Sequence, residues 1–107
     1  MSVTPLDDSN FAAEFAASER AVVDFYAGWC GPCILFKPKF ARISNDYPAV
    51  RFFLLDGEKS PVSRKTVTIG ALPFFGFFEG GRFVDGISTS DESAFRAFVD
   101  KHLATQS

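Results

Sequence analysis

Two rhythms of apolar and polar positions take turns along the chain. Ala21 to Ala27, Val50 to Leu55 and Leu72 to Phe78 are nearly continuous apolar runs, while the segments between them repeat apolar residues at helical spacing. A run that is apolar at successive positions needs cover on both faces, so the pattern predicts an α/β domain, a central sheet sandwiched by helices in three layers. A first helix is expected after Asp8 or Ser9 as cap, burying Phe11, Ala12, Phe15 and Ala16 and ending near Ser18. A second should begin about Pro32, whose missing amide hydrogen has no helical partner in the first turn. Its inward face would be Phe36, Phe40, Ile43 and Tyr47, with a kink rather than a stop at Pro38. A short helix is expected after Ser60 and Pro61. Phe74 to Phe78, Glu79-Gly80-Gly81 and Arg82 to Ile87 spell a hairpin. The last helix follows a capping-box pattern, Thr89 to Glu92, and presents Ala94, Phe95, Phe98, Val99 and Leu103 inward.

Composition narrows this picture. With 107 residues, 47% of them apolar, the chain suits one domain over 1–107. A formal charge of -2, with basic residues scattered, disfavours nucleic acid and anionic membrane surfaces as partners. The amino end carries acids where a secretory signal carries bases, and no apolar stretch approaches a spanning helix, so a cytoplasmic location is expected. The fourteen phenylalanines are read as core filling rather than as an aromatic recognition surface.

The chemistry rests on the only two cysteines, Cys30 and Cys33, placed where the strand Ala21 to Ala27 feeds the second helix. Residues three apart on a helical turn lie about 5–6 Å from each other, a separation that a disulfide bridges without backbone movement. At the amino end of a helix, unpaired amides and the helix dipole favour the thiolate, which makes Cys30 the nucleophile. Cys33, one turn in and less exposed, would attack the mixed disulfide and release the product. Three other readings stand beside this one. A structural zinc site needs about four ligands, and beyond the two cysteines the chain offers only the distant His102. A purely structural disulfide over so short a loop would add about 2 kcal/mol. A buried, inert pair is the third, against which Gly31 and Pro32 argue for an exposed, rigid turn. His102 itself is read as solvated at the end of the last helix, without a role.

Trp29-Cys30-Gly31-Pro32-Cys33 resembles the active-site sequence of the thioredoxin family. The resemblance covers nearly the whole chain: Val23-Asp24-Phe25-Tyr26-Ala27 ahead of the motif, Pro38, Ala71-Leu72-Pro73, the Gly80-Gly81 turn and the last amphipathic helix. It implies a thioredoxin fold and a protein-disulfide reductase that carries electrons from a thioredoxin reductase, linked to NADPH or ferredoxin, to client proteins with disulfides. No metal and no separate cofactor is implied, the Cys30–Cys33 disulfide being the redox group, and a monomer is expected. Asp24, the one charge in an apolar strand, loses hydration and should hold its proton more tightly than in water. The resemblance makes it the acceptor that helps deprotonate Cys33. Relatives usually pair that acid with a lysine on the neighbouring strand, where this chain has Leu54, so Asp24 is expected to stay protonated to higher pH. Pro73 resembles the family's cis-proline facing the dithiol, and Leu72 before it would offer its backbone to an extended client segment.

Client contact is thus expected at Trp29, Gly31, Pro32, Ile34, Leu72 and Pro73. Trp29 is expected to form an apolar wall, and Ile34 to stand partly exposed where relatives often carry lysine. Gly28, and Ser88 or Thr89 where a glycine is usual, also depart from the pattern and bear on partner choice. An interaction module that holds partners at the Trp29, Leu72 and Pro73 groove without turnover is a rival reading, and a dithiol oxidase or isomerase is another.

Overall fold

Alternation within the apolar runs sets the layers of the protein, for which a computed structural model describes residues 3–60, 65 and 67–104. The elements are β1 (Val3–Leu6), α1 (Phe11–Ala16), β2 (Arg20–Tyr26), α2 (Gly31–Ser44), β3 (Arg51–Asp56), β4 (Phe74–Glu79), β5 (Arg82–Ser88) and α3 (Glu92–Ala104). They build a five-stranded mixed sheet in the order β1-β3-β2-β4-β5. β1 and β2 run parallel to β3, while β2 with β4 and β4 with β5 are antiparallel. Because successive side chains leave a strand on opposite faces, Val22, Phe52, Phe75 and Phe77 meet Phe36 and Phe40 of α2 and Phe95 and Val99 of α3 on one face. Val23, Phe25, Phe53 and Phe78 pack with Phe15 of α1 on the other. The expected three-layer α/β sandwich is therefore present. Twelve phenylalanines are buried, and Phe83 is the one that is largely exposed, which places the aromatic surplus in the core.

Several boundaries differ from the sequence expectation. Strand β1 was not foreseen, because Pro5 interrupts so short a run; at a sheet edge its missing amide hydrogen leaves no ladder bond broken toward a second neighbour. The cap of α1 is Asn10 rather than Asp8 or Ser9. The ordering carboxylate is that of Asp7, which accepts from the amides of Ser9 and Asn10. Of the expected inward residues Phe15 is buried and Phe11 packs beside it, but Ala12 and Ala16 are exposed. Helix α2 starts at Gly31, so Pro32 is its second residue, and it continues through Pro38 to Ser44. Tyr47 thus lies beyond the helix, where it packs against the same core and its hydroxyl donates to Asp100 Oδ1. The expected short helix after Pro61 falls outside the described residues.

At the carboxyl end, the cap of α3 is Asp91 instead of Thr89. Its Oδ2 accepts the Ala94 amide at 2.8 Å, while Thr89 Oγ1 accepts the amide of Asp91 itself. Glu92, freed from a capping box, bridges Arg42 of α2 and Arg96. The hairpin turns at Gly80 and Gly81, with φ of 56° and 83°, a left-handed pair that joins strands paired at Glu79 and Arg82. His102 corrects another expectation: it is 8% exposed. Its ring stacks on Phe77 at 5.0 Å and its Nε2 lies 3.0 Å from Asp85 Oδ2. The last turn of α3 faces the sheet there, so the imidazole is core packing with a polar tether.

Candidate active site

The central strand β2 leads straight into the cysteine pair. After Tyr26 the chain turns, the Cys30 amide donates to Ala27 O at 3.1 Å, and α2 begins at the next residue. Cys30 is the cap of α2, with extended backbone, and its Sγ accepts the Cys33 amide at 3.3 Å. A sulfur at this position receives one of the amides that a helix start leaves unpaired, and negative charge on it would be favoured. Cys30 and Cys33 are joined in a disulfide with Cα atoms 5.3 Å apart. Cys33 is 2% exposed and Cys30 5%, while Gly31 and Pro32 between them are exposed. Both cysteines are thus buried, and the turn between them is open to solvent.

Opposite the helix start, the peptide bond between Leu72 and Pro73 is cis. Leu72 packs on the cluster of Ala27, Cys30 and Cys33. The loop carrying it is braced from β5, since the Ser88 hydroxyl donates to Ala71 O at 2.9 Å. Trp29 is 71% exposed, and its indole Nε1 donates to Glu58 Oε2 at 3.0 Å. With Leu72, Tyr26 and Ile69 it lines a hollow of about 150 Å³. Trp29, Leu72 and the dithiol are thus brought together. Ile34 is 58% exposed but faces a separate groove of about 420 Å³, shared with Val3, Lys37, Pro38, Ala41 and Leu54. Leu35, at 73% exposure, is a further exposed aliphatic side chain near the start of α2 and was missed in the sequence, where it reads as one more aliphatic residue of an amphipathic helix.

Asp24 lies in the middle of the sheet, paired with Leu54 of β3 and Phe75 of β4. It is 1% exposed, and neither carboxylate oxygen has a hydrogen-bond partner among the described residues. Burial in these apolar surroundings pushes its pKa up to about 7, against the pull of the Lys37 ammonium. The residue beside it on β3 is the uncharged Leu54, and Asp24 is not at a solvated strand edge. No cluster of three or more potential metal ligands occurs among the described residues.

A disulfide across the first turn of a helix, beside a cis-proline and at the end of a central strand, defines a class of protein: the thiol–disulfide oxidoreductases built on this α/β sandwich. The family model described as Thioredoxin matches residues 2–101, and the chain belongs to the thioredoxin family. It is 38% identical over 86 residues to a thioredoxin of Malassezia sympodialis, covering 78% of this chain and 81% of that protein. The crystal structure of Malassezia sympodialis thioredoxin superposes with a TM-score of 0.85 at 30% identity, covering 95% of this chain and 94% of that one. The chain is also 32% identical over 104 residues to a peptide-N(4)-(N-acetyl-beta-glucosaminyl)asparagine amidase of Caenorhabditis briggsae, covering 96% of this chain but 17% of that protein. With the cysteine pair at the active-site position, its activity is thiol–disulfide exchange.

Proposed function

We propose that this thioredoxin acts as a reductase of client protein disulfides, with Cys30 as the attacking and Cys33 as the resolving thiol. The observation that carries the assignment is the amide of Cys33 aimed at Cys30 Sγ from the first turn of α2. In the reduced protein the Cys30 thiolate attacks one sulfur of a client disulfide and expels the other as a thiolate, leaving a mixed disulfide. Asp24, as carboxylate, takes the proton of Cys33. The Cys33 thiolate then attacks Cys30 Sγ, the second client thiolate leaves, and the chain keeps the Cys30–Cys33 disulfide. Two electrons have passed to the client, and a thioredoxin reductase returns two from NADPH or ferredoxin. Trp29, Gly31, Pro32 and the cis Leu72-Pro73 loop form the surface an extended client segment crosses, while Ile34, expected there from the sequence, faces the separate groove along α2. Such a carrier works as a monomer in the cytoplasm.

The experiment is reduction of a generic protein disulfide, coupled to NADPH and a thioredoxin reductase, by the parent, Cys30→Ser and Cys33→Ser proteins. The parent turns over and neither variant does. A cellular activity that survives Cys33→Ser would instead assign the chain to partner binding without turnover.

A further inference from the structure

Asp24 is a buried acid without a hydrogen-bond partner among the described residues, so its proton balance depends on charges that reach it through space. On β3 the residue beside it is the apolar Leu54, and on β4 it is Phe75. Asp56, two residues beyond Leu54, is occupied by the amides of Glu58 and Lys59, which donate to its Oδ1. Helix α3 covers this face of the sheet with Phe95, Phe98 and Val99. The remaining element is α2. One turn after Cys33, Lys37 sends its ammonium over the ring of Tyr26, 4.5 Å from the centroid, and Tyr26 follows Asp24 by two residues and leaves β2 on the same face. Among the described residues, Lys37 is the charge that acts on Asp24.

The geometry points to Lys37, seated on the Tyr26 ring, as the positioning residue that governs proton uptake and release at Asp24. The inference rests on the reading of Asp24 as the proton acceptor for Cys33 and deepens it. Leu54 places no cation beside Asp24 within the sheet, and α2 supplies one over the same face. A lysine stem is flexible and its ammonium prefers water. The face of an aromatic ring attracts a cation electrostatically and fixes where it rests, so Tyr26 keeps the charge beside the acid without a direct ion pair. The ammonium stays outside hydrogen-bond reach of the carboxylate, which leaves Asp24 able both to take and to release a proton. Lys37 also lines the open groove next to Leu54.

The test is a carboxyl-carbon NMR titration of Asp24 in the oxidised protein, paired with the pH profile of client-disulfide reduction. Lys37 is exposed, so Lys37→Met should fold as the parent does; its Asp24 midpoint should move to higher pH, and Lys37→Arg should restore it. Tyr26→Phe keeps the aromatic face and should titrate like the parent, whereas Tyr26→Leu releases the ammonium and should shift the midpoint upward. The reduction profile should move with the midpoint in each case. An unmoved midpoint in Lys37→Met overturns the inference, and equal midpoints for Tyr26→Phe and Tyr26→Leu remove the ring from it. Asp24→Asn separates the two levels: if its reduction profile superimposes on the parent's, Asp24 leaves the mechanism, while the titration still decides what Lys37 does.

Discussion

The backbone amide of Cys33 donates to Sγ of Cys30 across 3.3 Å, so the sulfur occupies the capping position that a serine or aspartate oxygen fills in other helices. An acceptor at this point is stabilised most when it is charged, because the helix start presents partial positive charge. In the reduced protein Cys30 should therefore be alkylated first, with a midpoint for the rate below the roughly 8.5 of an ordinary thiol. Iodoacetamide labelling followed across pH, with peptide mapping of the labelled cysteine, checks this. Preferential labelling of Cys33 would reverse the assigned roles.

Asp24 makes stability depend on pH in a defined direction. Its folded-state pKa of about 7 lies above the 3.8 of an ordinary aspartate, so below the lower value both folded and unfolded chains hold the proton and nothing is lost. As pH rises from there to about 7, the unfolded chain releases its proton while the folded one keeps it, and stability falls; above that the loss is complete. The full difference is roughly 4 kcal/mol. Asn at this position cannot ionise, so Asp24→Asn should gain on the parent by about that amount between about pH 3.5 and about pH 8.5 in denaturant unfolding. A constant gap would mean that the carboxylate finds solvent.

His102 should matter to folding and not to chemistry. Its ring packs against both Phe77 and Phe98, at 5.0 Å from each, and is tethered to Asp85. Truncation in His102→Ala leaves a void against both rings and should cost about 2–4 kcal/mol of stability. The rate of disulfide reduction well below the melting transition should be that of the parent. A stability change within about 0.5 kcal/mol would return His102 to the surface.

Trp29 offers a third kind of test, on client choice. Its exposed indole, held by Glu58, forms one wall of the hollow beside Leu72. Trp29→Ala should raise KM for protein clients by roughly tenfold, equivalent to about 1.4 kcal/mol of contact. The rate with a small-molecule disulfide, which does not need the wall, should change little. Equal losses with both substrates would show that Trp29 acts on the dithiol instead.

Most of the scaffold was legible in the chain because the strands are apolar at successive positions and α2 and α3 are amphipathic. Cys30 and Cys33 stood out by spacing and by their place between strand and helix, and Asp24 by being a charge among apolar neighbours. Less visible were contacts whose partners are distant in sequence. Glu58 meets Trp29 from 29 residues away, and Ser88 reaches Ala71 across the cis-proline loop; neither pair carries a local pattern. The proline in β1 hid an edge strand, because a propensity rule for central strands does not hold at an edge. Asp91 took the cap of α3 from Thr89 because a carboxylate two residues later aligns better with the first free amides. Lys37 was the signal within reach: it follows Cys33 by four residues and so lies one turn along the same helix.

That the chain exchanges its disulfide with those of other proteins is tested most directly by trapping the intermediate. Reduced Cys33→Ser protein, mixed with a client protein that holds an accessible disulfide, should accumulate a covalent one-to-one adduct that dithiothreitol dissolves and whose linkage maps to Cys30 by mass spectrometry. Absence of any adduct, with the free Cys30 thiol still titratable, would contradict the account.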